Sequence, residues 1–450
     1  MRPDLAAKYD LRVPRYTSYP TAPHFHPGVT GETYRKWLGG LDPALELSLY
    51  LHVAFCADMC WFCGCHTKVT RRYAPVATYM EAVWREIEMV AEALPQRMLA
   101  RHIHFGGGSP TILTPTDFVK TVELLKSKFL LKDQSEIAVE LDPRTADETY
   151  IKALGSVGVT RASIGVQDLD PEVQKAINRI QPYEVSERVV GWLRQYGVAE
   201  VNVDLVYGLP HQTLDGLLKT IDTALTGFKP RRVALFGYAH VPWMKKHQRL
   251  IPEAALPDTD TRWQMYEQGC KMLADHGYVQ IGLDHFAAPD DAMAIALKTK
   301  TLNRNFQGYT TDTASTLIGF GASGIGSLPQ GYVVNEGEVH AYQRLISDGV
   351  LATSRGIAVS DDDRLRREII ERLMCDLEVD IDAVAGSHNV DAAQFDAEID
   401  TLGPLQADGL VIVDGRRLTV TEDGRTLVRA VCAAFDRYLK AGEQRHSKAV

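Results

Sequence analysis

The chain has 450 residues, enough for one large enzyme domain with appendages or for two domains. Hydrophobic residues make up 45% and charged residues 24%, a composition that excludes a disordered, collagenous or coiled-coil chain. The formal net charge is −9 and no block of lysines or arginines occurs, which argues against nucleic acid as a partner.

Residues 1–40 contain prolines and aromatic residues without periodicity and are predicted to form an arm across the body. The first thirty residues lack an apolar run of signal-peptide length, and no stretch of about 18 or more apolar residues occurs anywhere. We therefore expect a cytoplasmic protein without a membrane partner.

Residues 41–354 alternate short apolar runs with amphipathic helical patterns. Two helix starts are predicted, at Thr78-x-x-Glu81 and at Thr114-Pro115. The predicted strands span residues 48–54, 102–105, 136–141, 161–166, 200–207, 231–238 and 278–283. This order predicts an α/β catalytic domain with a parallel sheet and crossover helices, open or closed into a partial barrel.

Residues 355–450 change to a mainly helical pattern, with helices predicted over 362–375 and 391–405, a hairpin over 410–420 and a last helix over 423–441. We expect a small, mainly helical C-terminal accessory domain with a β-ribbon.

Polar side chains and glycines gather where the predicted strands end. In parallel βα folds the chemistry lies at the carboxyl ends of the strands. The residues expected at this rim are His52, the glycine triplet Gly106-Gly107-Gly108 with Ser109, Glu140, Asp142, Gln167, Asp168, Asp204 and Tyr238-Ala239-His240.

Four of the seven cysteines, Cys56, Cys60, Cys63 and Cys65, fall within ten residues. In a reducing compartment such a cluster favours metal binding or redox chemistry over disulfides. Three thiolates from one loop would leave one iron of a 4Fe-4S cluster open to another ligand. The alternative is structural zinc completed by Cys65 and His66, but five potential ligands in one loop fit a tetrahedral ion poorly.

The Cys-x-x-x-Cys-x-x-Cys loop after the first strand and the glycine triplet after the second resemble the radical S-adenosylmethionine superfamily. Further motifs extend over nearly the whole chain. They are Pro14-Arg15-Tyr16-Thr17-Ser18-Tyr19-Pro20-Thr21, Tyr50-x-His52, Cys63-Gly64-Cys65, Gly106-Gly107-Gly108-Ser109-Pro110-Thr111, Gly208-Leu209-Pro210-x-Gln212-Thr213, Tyr238-Ala239-His240-x-Pro242, Asp284-His285-Phe286-Ala287 and Asn305-Phe306-Gln307-Gly308-Tyr309-Thr310-Thr311. Together these motifs resemble the oxygen-independent coproporphyrinogen III oxidase family of that superfamily.

The resemblance implies a partial parallel (β/α)6 barrel of radical S-adenosylmethionine type and one 4Fe-4S cluster on Cys56, Cys60 and Cys63. It places a first S-adenosylmethionine at Tyr50, Phe62, Gly107, Glu140 and Ile325. It places a second at Gly108, Ser109, Gln167, Arg179, Asp204 and Ala239. The implied catalytic residues are Tyr50, His52, Cys65 and Glu140.

Several roles stay open at this stage. The glycine triplet alone is also typical of a tight turn, and the buried Asp204 could instead pair with Arg161 or Arg179. His66, His240 and His285 could act at the site or serve structure only.

The implied reaction is oxidative decarboxylation of two propionates of coproporphyrinogen III to vinyl groups, through a 5′-deoxyadenosyl radical. The implied partners are this substrate, S-adenosylmethionine and an electron donor such as flavodoxin or ferredoxin, and the enzyme is expected to be a monomer. The anionic substrate needs a basic site, and the candidates are Arg15, Lys68, Arg71, Arg72 and Arg304.

Two other functions compete. A haem chaperone of the same superfamily would share the first 300 residues but lacks Cys65, the Arg15-Tyr16-Thr17 arm and the block over residues 305–311. A non-catalytic iron-sulfur electron carrier would not need Glu140, Asp204 or the glycine triplet.

Overall fold

The computed structural model describes residues 5, 8, 9 and 13–439. Its strands are β1 Leu47–Val53, β2 Phe55–Cys56, β3 Lys68–Val69, β4 Ala100–Gly107, β5 Glu136–Leu141, β6 Arg161–Gln167, β7 Glu200–Tyr207, β8 Arg232–Gly237, β9 Val279–Ile281, β10 His285–Ala287, β11 Asn303–Asn305, β12 Gly308–Thr310, β13 Thr316–Phe320, β14 Ile325–Leu328, β15 Gly331–Asn335, β16 Thr353–Ala358, β17 Glu378–Asp380, β18 Val411–Asp414 and β19 Arg417–Val420.

The described residues also form a set of α-helices. They span Gly31–Gly39, Ala74–Ala93, Pro115–Lys128, Glu148–Ser156, Pro171–Ala176, Tyr183–Gln195, Leu214–Phe228, Thr259–Asp275, Ala292–Lys298, Val339–Ser347, Asp361–Asp376, Ile381–Ser387, Asp396–Asp400, Gly403–Ala407 and Val428–Ala433. None of these helices is long and apolar enough to cross a membrane.

Two units divide the chain. The barrel unit comprises residues 26–278 and 312–357, and the accessory unit comprises the described residues of 1–25, 279–311 and 358–439. This division differs from the predicted segments, because the helix Gly31–Gly39 of the expected arm belongs to the barrel unit and residues 279–311 belong to the accessory unit.

The barrel unit is built on a parallel sheet. Strands β1, β4, β5, β6, β7 and β8 lie side by side in that order, and every neighbouring pair is parallel. Helices connect them, as in Pro115–Lys128, where the Thr114 hydroxyl accepts from the Asp117 N–H and Pro115 stands in the first turn. The six predicted parallel strands are therefore confirmed.

Two local predictions in this unit need correction. The helix expected to start at Thr78 begins at Ala74, with a proline in its first turn. On the other side of β1 the sheet continues through parallel β13 and antiparallel β14 and β15 to β16, which the sequence patterns did not indicate.

The accessory unit has its own apolar core, formed mainly by residues of the helix Asp361–Asp376 and of the segments that follow it. The strand predicted over 278–283 is present as β9, Val279–Ile281, but it pairs antiparallel with β10 and does not continue the parallel series. Strands β17, β19 and β18 form a small sheet that contains the predicted hairpin.

Two predicted helices of this unit are shorter than expected. The helix over 391–405 is divided into a 3-10 turn and two short helices, and Pro404 lies in the first turn of the second. The last helix covers only Val428–Ala433, after a 3-10 turn, and residues 440 and 441 of the prediction lie outside the described residues.

Candidate functional site

The loop that carries the four clustered cysteines, residues 56–67 (the cysteine loop), has its two ends held together. Strand β2 pairs in parallel with β3, which sets Phe55 beside Lys68 and Cys56 beside Val69. The Ser109 N–H, just after β4, donates to the Phe55 carbonyl at 2.9 Å. The loop is therefore anchored at the carboxyl ends of β1 and β4, where the fold places chemistry.

Each of the first three cysteine sulfurs accepts a hydrogen bond. The Thr67 hydroxyl donates to Cys56 Sγ at 3.3 Å and the Cys65 N–H donates to Cys63 Sγ at 3.3 Å. Cys60 Sγ accepts from two guanidinium groups, Arg144 Nη2 at 3.3 Å and Arg179 Nη1 at 3.4 Å. Donors of this kind stabilise a thiolate relative to a thiol.

The thiols differ in acidity. The hydrogen bond from the Cys65 side chain lowers the pKa of Cys63 to about 6, and the same bond raises the pKa of Cys65 well above its ordinary value. Burial raises the pKa of Cys56 to about 11. Cys63 therefore ionises at a lower pH than Cys56, and a bound metal must displace a proton from Cys56.

The donor set fits a 4Fe-4S cluster better than zinc. All seven cysteines are free, and Cys56, Cys60 and Cys63 are presented from one anchored loop. Zinc requires ligands that converge on one ion at about 2.0 to 2.3 Å. In a 4Fe-4S cluster each thiolate binds its own iron, so three cysteines of one loop suit a cluster.

A cluster of polar side chains on β1, β4 and β5 lies beside the cysteine loop. The Tyr50 ring stacks on His104 at 5.8 Å between centroids, and His104 Nε2 lies 3.1 Å from Glu140 Oε1. Burial raises the pKa of the Tyr50 hydroxyl well above its ordinary value. Tyr50 and Glu140 are thus brought together by His104, which the sequence reasoning did not select.

His52 has a defined protonation state. Its Nε2 donates to the His66 carbonyl at 2.9 Å, so its Nδ1 accepts from the Tyr50 hydroxyl at 3.2 Å. Burial lowers the pKa of His52, which keeps the ring neutral near pH 7. His52 connects Tyr50 to the backbone of the cysteine loop.

The glycine triplet is required by contacts within the protein. A Cβ on Gly106 would lie 2.7 Å from a Glu140 carboxylate oxygen, and one on Gly108 would lie 2.5 Å from the Phe55 carbonyl oxygen. Gly107 adopts φ +111° and a Cβ there would meet the His52 ring at 2.8 Å. These close approaches within the protein favour glycine at Gly107 and Gly108 whether or not a cofactor binds beside them.

A buried charge cluster lies behind Cys60. Arg144 Nη2 donates to Asp142 Oδ2 at 2.6 Å and Arg179 lies 3.4 Å from the same carboxylate. Burial alone would raise the pKa of Asp142, but the two guanidinium groups hold it below its ordinary value. Arg179 also donates to the Gly165 carbonyl at 2.7 Å, and its buried Nε has no hydrogen-bond partner.

Asp204 and Gln167 lie on neighbouring strands. The Ser163 hydroxyl donates to Asp204 Oδ1 at 3.1 Å. Of the two arginines considered for Asp204, Arg161 pairs with Glu136 and Glu200, and Arg179 pairs with Asp142. Gln167 ends β6 with φ +69°.

The other cofactor candidates are dispersed around the rim. Ser109 is buried and its hydroxyl lies 2.5 Å from the Thr111 hydroxyl. Phe62 packs against an apolar cluster that contains Tyr238 and Ile251. The Phe62 and Ala239 carbonyls accept from one amide, Gln248 Nε2, at 3.1 and 3.3 Å, and Ile325 begins β14.

The remaining histidines each have a partner in the protein. His66 Nε2 donates to the Gly337 carbonyl at 2.6 Å, His240 Nδ1 lies 2.7 Å from the Tyr238 hydroxyl, and His285 Nδ1 lies 2.6 Å from an Asp284 oxygen. These hydrogen bonds fix the orientation of all three rings.

The basic candidates for the substrate separate into two groups. In the barrel unit, Lys68 pairs with Glu338 and Arg71 with Asp58, both at 2.7 Å, and Arg72 is exposed. In the accessory unit, the Arg304 guanidinium lies 4.3 Å from the centroid of the Tyr309 ring, and its buried Nε and Nη1 have no hydrogen-bond partner. Arg304 Nη2 donates to the Arg15 carbonyl at 3.4 Å.

Known families match two segments of the chain. Residues 50–224 match the Radical SAM superfamily, and residues 359–427 match the HemN C-terminal domain.

Curated relatives match the chain end to end. The oxygen-independent coproporphyrinogen III oxidase of Bradyrhizobium diazoefficiens is 50% identical over 100% of both chains. The enzyme of that name from Pseudomonas aeruginosa is 38% identical over 99% of this chain and 98% of its own.

A solved structure has the same fold. Coproporphyrinogen III oxidase (HemN) from Escherichia coli, described as a radical SAM enzyme, superposes with a TM-score of 0.91 at 35% identity. The match covers 95% of this chain and 100% of that one.

Proposed function

Because this chain belongs to the oxygen-independent coproporphyrinogen III oxidase family of radical S-adenosylmethionine enzymes, we propose that it converts two propionates of coproporphyrinogen III to vinyl groups. The product is protoporphyrinogen IX, an intermediate of haem biosynthesis. Each round removes one hydrogen atom and one carbon dioxide from a propionate and passes one electron to an acceptor.

The observation that carries this proposal is the anchored cysteine loop. Cys56, Cys60 and Cys63 are proposed to hold one 4Fe-4S cluster, and the donors around their sulfurs support that role. The reduced cluster with S-adenosylmethionine supplies a 5′-deoxyadenosyl radical when both are bound. The protein's part is to bind and orient these groups and to exclude water.

Tyr50, Phe62, Gly107, Glu140 and Ile325 are proposed to contact the first S-adenosylmethionine. Glu140 is suited to this role because it is only partly buried and His104 holds its carboxylate at 3.1 Å. The neutral His52 orients Tyr50, and Cys65 is proposed to act near the substrate.

A second S-adenosylmethionine is proposed at Gly108, Ser109, Gln167, Arg179, Asp204 and Ala239. The unsatisfied Nε of Arg179 supports this proposal, because a buried guanidinium N–H without an acceptor is costly and a ligand oxygen would satisfy it.

Arg304 is proposed to bind a substrate carboxylate. Lys68 and Arg71 already form ion pairs, whereas Arg304 keeps two buried donors without acceptors. A carboxylate can accept from one of these donors, and a charge-assisted hydrogen bond of this kind is about twice as strong as a neutral one.

The test is reconstitution of the cluster without air, followed by incubation with coproporphyrinogen III, S-adenosylmethionine and dithionite. The expected result is protoporphyrinogen IX together with 5′-deoxyadenosine. If 5′-deoxyadenosine forms without the vinyl product, the substrate assignment is wrong. Binding of haem without any turnover would instead indicate a haem chaperone.

The physiological electron donor is proposed to be flavodoxin or ferredoxin, and the enzyme is proposed to act as a monomer in the cytoplasm. Four cysteines within ten residues support a reducing compartment, because such a cluster is typical of metal or redox sites there rather than of disulfides. Sedimentation of the reconstituted protein tests the monomer.

A further inference from the structure

The segment that follows β8 covers the cysteine loop. We define the Trp243 loop as residues 241–251, which end in the 3-10 turn Lys246–Leu250. His247 Nε2 donates to the Cys63 carbonyl at 2.8 Å, and Lys245 Nζ donates to the Cys65 carbonyl at 3.0 Å. The Trp243 loop is therefore bonded directly to the backbone beside a proposed cluster ligand.

The outer side of this loop is apolar and open. Trp243 is 68% exposed, Met244 69% and Leu250 57%. Trp243 also lines a groove with Pro242, Arg249, Ile251, Pro252 and Glu253. Large apolar side chains grouped in this way are typical of protein interaction sites, and tryptophan is enriched among the residues that contribute most to binding.

The loop is also positively charged in an acidic protein. It contains Lys245, Lys246 and Arg249 and no aspartate or glutamate, whereas the whole chain has a net charge of −9. Lys246 and Arg249 are exposed. A basic, apolar patch on an acidic protein favours an acidic protein partner, because charge complementarity steers the encounter.

We propose that the Trp243 loop is the docking surface for an acidic electron-carrier protein, which passes one electron to the cluster on the cysteine loop. This inference rests on the proposed function, since it requires the cluster. The carrier loses the electron and the cluster gains it. The loop suits this partner because His247 is hydrogen-bonded directly to the backbone of Cys63, and electron-transfer complexes use small, weak interfaces.

The same loop is unsuited to the porphyrinogen. Small-molecule sites are concave and bury most of the ligand, whereas Trp243 and Met244 stand out into solvent. If the substrate bound there instead, the loop variants would lose turnover with dithionite as well as with the electron carrier.

The experiment compares the reconstituted wild type with Trp243→Ala and with the double variant Lys246→Glu and Arg249→Glu. None of these residues is assigned to the cluster, to S-adenosylmethionine or to the substrate. The matched control is Leu130→Ala with Lys132→Glu, because Leu130 is 44% exposed beside a lysine at the amino-terminal end of β4, on the opposite rim.

Turnover is measured with reduced flavodoxin as the variable substrate and, separately, with dithionite, which needs no docking surface. We expect the KM for flavodoxin to rise about tenfold in both loop variants, while iron content and the dithionite-driven rate stay at wild-type values. The control variant should match the wild type in both assays.

Binding of oxidised flavodoxin to the reconstituted protein, followed by biolayer interferometry, gives a readout that does not depend on turnover. We expect weaker binding and a smaller salt dependence in the double variant. Unchanged KM and Kd in the loop variants, no flavodoxin binding by the wild type, or an equal loss with dithionite would each overturn the docking proposal. Absence of wild-type turnover with dithionite would contradict the proposed function instead.

Discussion

The buried carboxyl group of Glu86 should make the free energy of unfolding depend on pH. It is fully buried on the helix Ala74–Ala93 and accepts from three donors: the Gly321 N–H at 2.7 Å, Asn335 Nδ2 at 2.6 Å and the Tyr342 hydroxyl at 2.7 Å. Burial raises the pKa of Glu86 to about 7 in spite of these donors. The folded barrel unit therefore favours the protonated acid more than the unfolded chain does.

The sign and size of the effect follow by linkage. A carboxyl group with a raised pKa contributes stability below its unfolded pKa, 4.5, and loses it as the pH rises through about 7. Each pKa unit corresponds to about 1.4 kcal/mol. Between pH 5 and pH 8, Glu86 should therefore lower the free energy of unfolding by about 2.5 kcal/mol.

The perturbation is Glu86→Gln, which keeps the shape and one acceptor but cannot ionise. Urea unfolding of the full chain is measured from pH 5 to pH 8, and the variant is compared with wild type at each pH so that other titrating groups cancel. We expect the variant to gain about 2.5 kcal/mol relative to wild type across this range. The exposed Glu81→Gln on the same helix is the control, and a difference that does not change with pH would refute the reasoning.

Three further predictions concern the proposed site. Cys63→Ala should lose bound iron and all turnover, and iron analysis that equals wild type would contradict its role as a ligand. Asp204→Asn should keep iron but raise the KM for S-adenosylmethionine about tenfold, because it weakens a charged contact, and an unchanged KM would remove Asp204 from the second site. Arg304→Gln should raise the KM for coproporphyrinogen III by about ten- to a hundredfold without changing iron content. A lower kcat at unchanged KM would argue against carboxylate binding by Arg304.

Strand positions in the first half of the chain were predictable because apolar runs alternate with clear turn and capping residues. Strands β5 and β7 match the predicted residues 136–141 and 200–207. The family expectation is likewise confirmed by the relatives and by the solved structure.

Strands β13 to β15 were not predictable in the same way. Gly319, Gly321, Gly324 and Gly326 interrupt their apolar pattern, and β13 pairs with β1, which is distant in sequence. A Cβ on Gly319 would lie 2.4 Å from the Ile325 carbonyl oxygen, so these glycines are required by a close approach that only the folded chain reveals.

The surroundings of the thiols also depend on contacts distant in sequence. Arg144 and Arg179 reach Cys60 from 84 and 119 residues further along the chain. His104 could have been noticed, because it alternates with Ile103 and Phe105 on a strand. Alternation places His104 on the inner face but does not indicate that Tyr50 and Glu140 flank it.

The pairing of Phe55 with Lys68 and of Cys56 with Val69 bears on repair after oxidative damage. If oxygen destroyed the iron-sulfur cluster, the cysteine loop would stay closed, because the pairing of β2 with β3 holds its two ends together without a metal. The conformational entropy of the cysteine loop is therefore lost when the barrel unit folds and not when the cluster binds. Reloading the centre should thus require only iron, sulfide and reduced thiols, without refolding of the chain.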